Sequence, residues 1–413
     1  MTNHDISLKR ADELKAGTVE YLEAKKTLKY GRDKNTASRI QASKSLILNH
    51  LNSTGKDYED WKWQFRNRFT SFAELDFFFS FSDEEKKKLE EITQKNRMAV
   101  TPYYLSLIDP SDPGDAIRRM SLASREELDD TGLLDPMQEA QTNPCGVITR
   151  RYPDRLIINV TNACAMYCRH CQRRRKIGEI DKVSSPKDME DSIDYIWENH
   201  EIRDVLITGG DPLTLSDKHL DKLLSTLRAI PHVEIIRIGT RMPVTLPQRI
   251  APDLAAMFKK HHPLYINTQF NHPVEITEEA AAACNLLADN GIIMGNQMVL
   301  LNHVNNDPYV VRLLNQELLR IRVRPYYIFH PKKVKGTQHF YVNLDEGLRI
   351  IDSLRGYTSG LAIPTYIINA PGGLGKIPLL PNYILNRKDN KYYLKNWEGK
   401  IIEYEEYTTK NPE

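Results

Sequence analysis

From residue 151 onward the chain alternates short β-branched runs with helical stretches, and that alternation restricts it to a parallel sheet wrapped by helices. Strands are predicted at Leu156–Val160, Asp204–Thr208, Glu234–Gly239, Leu264–Gln269, Ile292–Leu301, Arg324–Phe329 and Thr365–Asn369. Between the first two, Ser185-Pro186 supplies an N-cap and a first-turn proline for a helix reaching about His200. Another helix is predicted over Asp217–Arg228. About six βα units without an obvious break favour one curved, partly closed barrel over two separate Rossmann halves. The fold class is therefore α/β.

The flanks differ. Residues 1–150 are expected to form a helical region that packs on the barrel or on a partner subunit. Its amphipathic segments run over Asp57–Arg68 and Asp83–Arg97, and punctuation follows at Asp109-Pro110-Ser111-Asp112-Pro113-Gly114. No catalytic signature stands out there. Residues 377–413 read as a small β-hairpin appendage, with Tyr392–Asn396 and Lys400–Tyr404 flanking Trp397-Glu398-Gly399. The 413 residues carry 57 Lys plus Arg against 55 Asp plus Glu, so no global polyanion-binding surface is indicated. The N-terminus has no apolar signal-peptide core, and no stretch approaches the roughly 18 uninterrupted apolar residues of a membrane span. A cytoplasmic protein is expected.

Five cysteines are too few and too uneven for a disulfide framework, and three of them cluster at Cys164, Cys168 and Cys171. Cys-x3-Cys-x2-Cys directly after the first strand puts three thiolates on one tight loop. A structural zinc site would need a fourth ligand; His170 is beside Cys171 in an awkward position, and no paired Cys-x-x-Cys occurs elsewhere. Three thiolates can instead hold three irons of a [4Fe–4S] cluster and leave the fourth iron open for a small molecule. A second element, Thr208-Gly209-Gly210-Asp211-Pro212, ends the second strand on the same barrel face. Its glycines let backbone approach a ligand, and Asp211 can accept hydrogen bonds from an ammonium. The third is Asn369-Ala370-Pro371-Gly372-Gly373-Leu374-Gly375-Lys376. It lacks the spacing of a P-loop, but a lysine behind a glycine loop can form a Schiff base with pyridoxal 5′-phosphate (PLP).

The cysteine spacing resembles the signature of the radical S-adenosylmethionine (SAM) superfamily, and the glycine-rich turn resembles the segment that holds the amino group of SAM there. The whole combination resembles the lysine 2,3-aminomutase family. The likeness runs from Trp61-Lys62-Trp63-Gln64-Phe65-Arg66-Asn67-Arg68 through Thr101–Pro110 to the end. It includes Arg151-Tyr152-Pro153-Asp154-Arg155, Cys168-Arg169-His170-Cys171-Gln172-Arg173-Arg174-Arg175, Phe270-Asn271-His272-Pro273 and Arg324-Pro325-Tyr326-Tyr327. The resemblance implies a partial (βα)6 TIM-like barrel of the radical SAM type over residues 151–376. It implies Cys164, Cys168 and Cys171 as cluster ligands, and Gly209, Gly210, Asp211 and His170 at SAM. Lys376 would hold PLP, Arg151 its phosphate with Arg155 a weaker candidate, and Tyr152 would pack by the pyridine ring. Arg173 would clamp the substrate's α-carboxylate, a bidentate task that suits guanidinium. The basic run Arg173-Arg174-Arg175-Lys176 therefore points to carboxylate and phosphate rather than nucleic acid. Other implied partners are a small-molecule amino acid, an electron donor such as flavodoxin or ferredoxin, and further copies of the chain in a homo-oligomer.

Two departures from the family narrow the reading. Where lysine enzymes present two aspartates to the distal ammonium, this chain has Lys332 and Asn369. Unless Lys332 turns to solvent, the distal pocket should prefer a side-chain carboxylate. The expected reaction is a radical 1,2-amino migration between L-glutamate and β-glutamate, with aspartate, lysine or a protein lysyl residue as alternative substrates. An iron–sulfur sensor or RNA-binding protein without turnover is the rival outside enzymes, and Lys376 discriminates against it. The family's structural zinc is not expected, because Val304-Asn305-Asn306-Asp307 lacks the partner cysteine and the tail has no Cys.

Overall fold

The computed structural model describes residues 1–406. Nine strands form one curled sheet in chain order: β1 (Ile148–Arg150), β2 (Arg155–Asn159), β3 (Asp204–Thr208), β4 (Ile235–Gly239), β5 (Leu264–Thr268), β6 (Ile293–Val299), β7 (Val323–Phe329), β8 (Thr365–Asn369) and β9 (Lys376–Pro378). β2 to β8 run parallel, each next to its sequence neighbour, while β1 and β9 pair antiparallel at the two edges. Six βα units followed by a seventh parallel strand make the expected partial barrel. Each parallel strand pairs with the next in the chain, as successive βα crossovers place consecutive strands side by side.

Alternation within the strands decides which face meets the helices. In β2, β3 and β4 the buried residues are Leu156 and Ile158, Val205 and Ile207, and Ile236 and Ile238. Their neighbours Arg155, Asn159, Asp204, Thr208 and Arg237 are polar and face the concave side. The concave face is thus built for a ligand, unlike a barrel interior filled with apolar side chains. The outer helices supply matching stripes, such as Leu220, Leu223, Leu224 and Leu227 on Asp217–Arg228. Ser185 caps Pro186–Glu198, accepting a hydrogen bond from Asp188 N at 3.1 Å.

Two expectations need correction. The segment predicted as one helix over Asp57–Arg68 is two, Gly55–Glu59 and Trp61–Arg66, because Asp60 leaves helical geometry to cap the second through Lys62 N. The C-terminal appendage is a three-stranded antiparallel sheet, not a hairpin: β10 (Ile384–Lys388) joins β11 (Lys391–Lys395) and β12 (Ile401–Glu405). The added strand turns tightly into β11 at Asp389, whose φ of 54° is tolerable for Asp. Residues 407–413 of that appendage lie outside the described residues. No helix among the described residues is long and apolar enough to cross a membrane.

Candidate active site

Every residue singled out above as a site candidate lines one cavity of about 900 Å³ on the concave face. That volume lies near the upper end of the roughly 300–1,000 Å³ of small-molecule sites, so it has room for more than one ligand. The strands' C-terminal ends carry most of these residues, as in other parallel barrels.

The cysteine loop follows β2. Arg68 Nη1 binds the carbonyl of Cys164 at 2.6 Å, and Arg169 and Arg174 both pair with buried Glu127, at 2.6 and 2.5 Å. Those ties fix the loop to the N-terminal region. Cys168 Sγ accepts from Arg241 Nη1 at 2.8 Å, and Cys171 Sγ accepts from Arg173 N at 3.3 Å. Burial, with the other cysteines' charge, pushes the Cys164 and Cys171 thiols up, so three thiolates are tolerable here only with a cation among them. No group of three or more His, Cys, Asp or Glu among the described residues converges on a point that could hold a single metal ion. A cubane cluster, which gives each thiolate its own iron, suits this donor set better.

The turn after β3 has a packing role beside the one expected. A Cβ on Gly209 or Gly210 would collide with the carbonyls of Thr161 or Ala163, so glycine is required for the turn to pack on the cysteine loop. Asp211 is also occupied: its carboxylate accepts from Thr240 Oγ1 (2.7 Å), Arg241 N (2.7 Å) and Leu213 N (3.0 Å). It holds the β3 and β4 ends together. Open polar atoms on this side belong to other residues. His170 Nδ1, Asn159 Oδ1 and Asn267 Nδ2 are buried without partners and line the cavity. Burial and the nearby guanidinium of Arg241 hold His170 neutral, well below the usual imidazole range.

On the opposite side, Lys376 begins β9, directly across from Asn369 at the end of β8. Its Nζ lies 5.3 Å from the Tyr152 ring centre, and the Arg155 guanidinium stacks on that ring at 3.9 Å. Burial plus Arg155, Arg237 and Arg151 lower Lys376 to about 8. Arg151 Nε is buried and unpartnered. These features fit PLP: an amine that sheds its proton easily, an aromatic ring beside it, and guanidinium donors for a phosphate.

Lys332 follows β7, whose chain continues beside β8 through His330 N to Ile367 O at 2.8 Å. Among the described residues its side chain makes no hydrogen bond or ion pair, its ammonium lying 5.4 Å from the Phe329 ring centre, and Asn369 Nδ2 is buried without a partner. Burial, then Arg173, Lys376 and Arg151, push the Lys332 ammonium down to about 7. An ammonium and an amide donor thus sit open in a cavity already rich in positive charge.

Sequence reasoning missed several residues here. Arg241, after β4, also pairs with Glu275 at 2.5 Å and receives support from Tyr104; its place at a strand's C-terminal end was the available signal. Glu139 came from the region expected to carry no site residue. Its carboxylate meets Arg173, Arg175 and Lys176 at 2.9, 3.0 and 3.1 Å, and these charges hold it down at about 2 despite burial.

A curled sheet of this order with three cysteines after its first parallel strand defines a radical SAM protein, and a model of the radical SAM superfamily matches residues 158–313. A [4Fe–4S] cluster and SAM are the cofactors of that class. The lysine-2,3-aminomutase model matches residues 351–413. The glutamate 2,3-aminomutase of Clostridioides difficile (strain 630) is 54% identical over 97% of this chain and 95% of its own length. The L-lysine 2,3-aminomutase of Clostridium subterminale is 47% identical over 85% of each chain. This chain belongs to the lysine 2,3-aminomutase family. Among solved structures, a radical SAM methyltransferase from Sphaerobacter thermophilus aligns over 55% of this chain and 72% of its own, at 13% identity and a TM-score of 0.38.

Proposed function

We propose that this chain interconverts L-glutamate and β-glutamate (3-aminoglutarate) by a radical 1,2-amino migration that uses a [4Fe–4S] cluster, SAM and PLP. The observation that carries the substrate is the pair of donors lining one cavity, the Lys332 ammonium just past β7 and the unpartnered Asn369 Nδ2 at the end of β8. The C. difficile relative's name agrees with it.

When bound, the cluster and SAM would supply hydrogen-abstracting radical chemistry, and PLP would supply a conjugated ring able to delocalise an unpaired electron. Cys164, Cys168 and Cys171 would hold the cluster through three thiolates. Arg241 and the Arg173 amide donate to two of those sulfurs, which lowers the charge on them. Gly209, Gly210 and His170 border the SAM side, and Asp211 holds that border in place. Lys376, lowered to about 8 by burial and nearby guanidinium groups, gives up its proton more readily than an ordinary lysine. Arg151, with Arg155, holds the phosphate, and Tyr152 packs by the ring. Arg173 takes the α-carboxylate through its open Nη pair. Lys332 and Asn369 take the γ-carboxylate, so the substrate is fixed at both ends and its C2–C3 bond has little freedom. The walls keep water and stray hydrogen donors away from the radical. A one-electron donor of the flavodoxin or ferredoxin type starts the reaction.

The test is NMR of 13C-labelled L-glutamate incubated with reduced, cluster-reconstituted protein, SAM and PLP. β-Glutamate resonances that need all three cofactors are expected. Turnover of lysine with none of glutamate would overturn the substrate assignment.

A further inference from the structure

We infer that Glu139 is a positioning residue for substrate binding: it grips the Nε edge of Arg173 so that the other edge of the guanidinium stays aimed into the cavity. The inference rests on the reading of Arg173 as the α-carboxylate clamp. A guanidinium offers carboxylates two edges, one through Nε and one through the Nη pair. Glu139 Oε1 accepts from Arg173 Nε at 2.9 Å, which occupies the first. Neither Nη of Arg173 has a protein partner among the described residues, and Arg173 lines the cavity. The second edge is therefore free for a planar carboxylate.

Glu139 is itself well held. Its side chain is 3% exposed, its amide donates to Asp135 Oδ2 at 2.8 Å, and Asp135 in turn pairs with Arg175 at 2.8 Å. The preceding residue, Gln138, turns the chain at a φ of 46°, and Pro136 O accepts from Gly372 N at 3.2 Å. That last bond ties this segment to the glycine loop of Lys376. The Glu139 carboxylate also lies 3.6 Å from Arg151 Nη2. One buried carboxylate therefore sits between the arginine assigned to the phosphate and the arginine assigned to the substrate, and keeps their like charges from driving them apart. The carboxyl stays ionised at any working pH, because the cations around it hold it at about 2.

An arginine left unanchored has many rotamers to lose on binding, a cost equivalent to roughly two- to tenfold in affinity. Loss of an interaction equal in ground and transition states raises KM and leaves kcat alone. The measurement is KM and kcat for glutamate in Glu139→Ala, Glu139→Gln, Arg173→Met and the Glu139→Ala/Arg173→Met double variant, with cluster absorbance as the check on folding. Glu139→Ala should raise KM about tenfold with kcat within about threefold of the native value. Glu139→Gln keeps an oxygen that can accept from Nε, so it should lie closer to the native protein. In the Arg173→Met background the further effect of Glu139→Ala should fall below about threefold, since a residue acting only through Arg173 has nothing left to position. A fall in KM in Glu139→Ala would show that Glu139 competes with substrate and would overturn the proposal, as would additive losses in the double variant. If alanine prevents folding, a KM for Glu139→Gln below the native value overturns it equally. An unchanged KM in Arg173→Met would instead refute the clamp assignment itself.

Discussion

Reversing the charge of the distal pocket is the sharpest perturbation the structure offers. Lys332 sits half-buried with Arg173, Lys376 and Arg151 around it, and those cations with burial lower its ammonium to about 7. An incoming γ-carboxylate supplies the counter-charge that the protein withholds. Opposite unit charges at about 4 Å interact by roughly 4 kcal/mol at an effective dielectric of about 20. The Lys332→Asp/Asn369→Asp variant removes that attraction and sets two carboxylates against the substrate's own. Water entering the cavity will reduce the change, but a shift of at least about a hundredfold, near 2.7 kcal/mol, should survive. Lysine gains what glutamate loses, because its distal ammonium then meets two acids while Arg173 and Lys376 are untouched. New carboxylates among these guanidinium groups are electrostatically welcome, so the variant should fold. The assay is kcat/KM for both amino acids in native and variant protein. If the glutamate-to-lysine ratio moves less than about tenfold, or 1.4 kcal/mol, Lys332 and Asn369 do not form the distal pocket.

Three further outcomes are expected. Changing Cys164, Cys168 or Cys171 to Ala should abolish the iron–sulfur absorbance and its EPR signal, whereas Cys145→Ala and Cys284→Ala should retain both; an unaltered spectrum in Cys168→Ala would refute the ligand assignment. Lys376→Ala, treated with PLP and then borohydride, should carry no covalent pyridoxyl group while its cluster absorbance persists. The third outcome concerns pH. With its free-enzyme value lowered to about 7, Lys332 is cationic below that pH and neutral above it, so kcat/KM for glutamate should fall on the alkaline side of about 7. Lys332→Arg should move that limb upward, since guanidinium stays charged; a limb that does not move belongs to another group.

Strands with strict alternation were the most legible part of the fold. Asp204–Thr208 and Thr365–Asn369 have the bounds their β-branched runs predict, and the others differ by a residue or two at the ends. Motif residues were legible for a related reason: Cys164 to Cys171 and Gly209 to Asp211 are local, and local order survives folding. What escaped depends on distant convergence. Glu139 is 34 positions from Arg173, and Arg241 is 73 from Cys168; nothing local marks a buried carboxylate or guanidinium before its partner arrives. The packing role of Asp211 escaped on the same ground. Its motif was visible, but the three donors to its oxygens come from its own turn and from the end of β4, and only the folded turn brings them together. Ile384–Lys388 escaped because its polarity suits a strand open to solvent on both faces.

Lys376 and Asn369 are opposite partners in an antiparallel ladder, closed by Ala370 N to Gly375 O at 2.9 Å and turned by glycines with φ between 72° and 96°. Partners in such a ladder share a face, and slipping the register by one residue sends a side chain to the other face. Loop length between them is therefore not a free variable for a lineage exploring new substrates. An insertion or deletion there would uncouple the Lys376 amine from the cavity at the same stroke as it moved Asn369. If Lys332 and Asn369 read the distal group as proposed, substrate choice can change by point substitution at positions 332 and 369 while the backbone between strand and lysine is held constant.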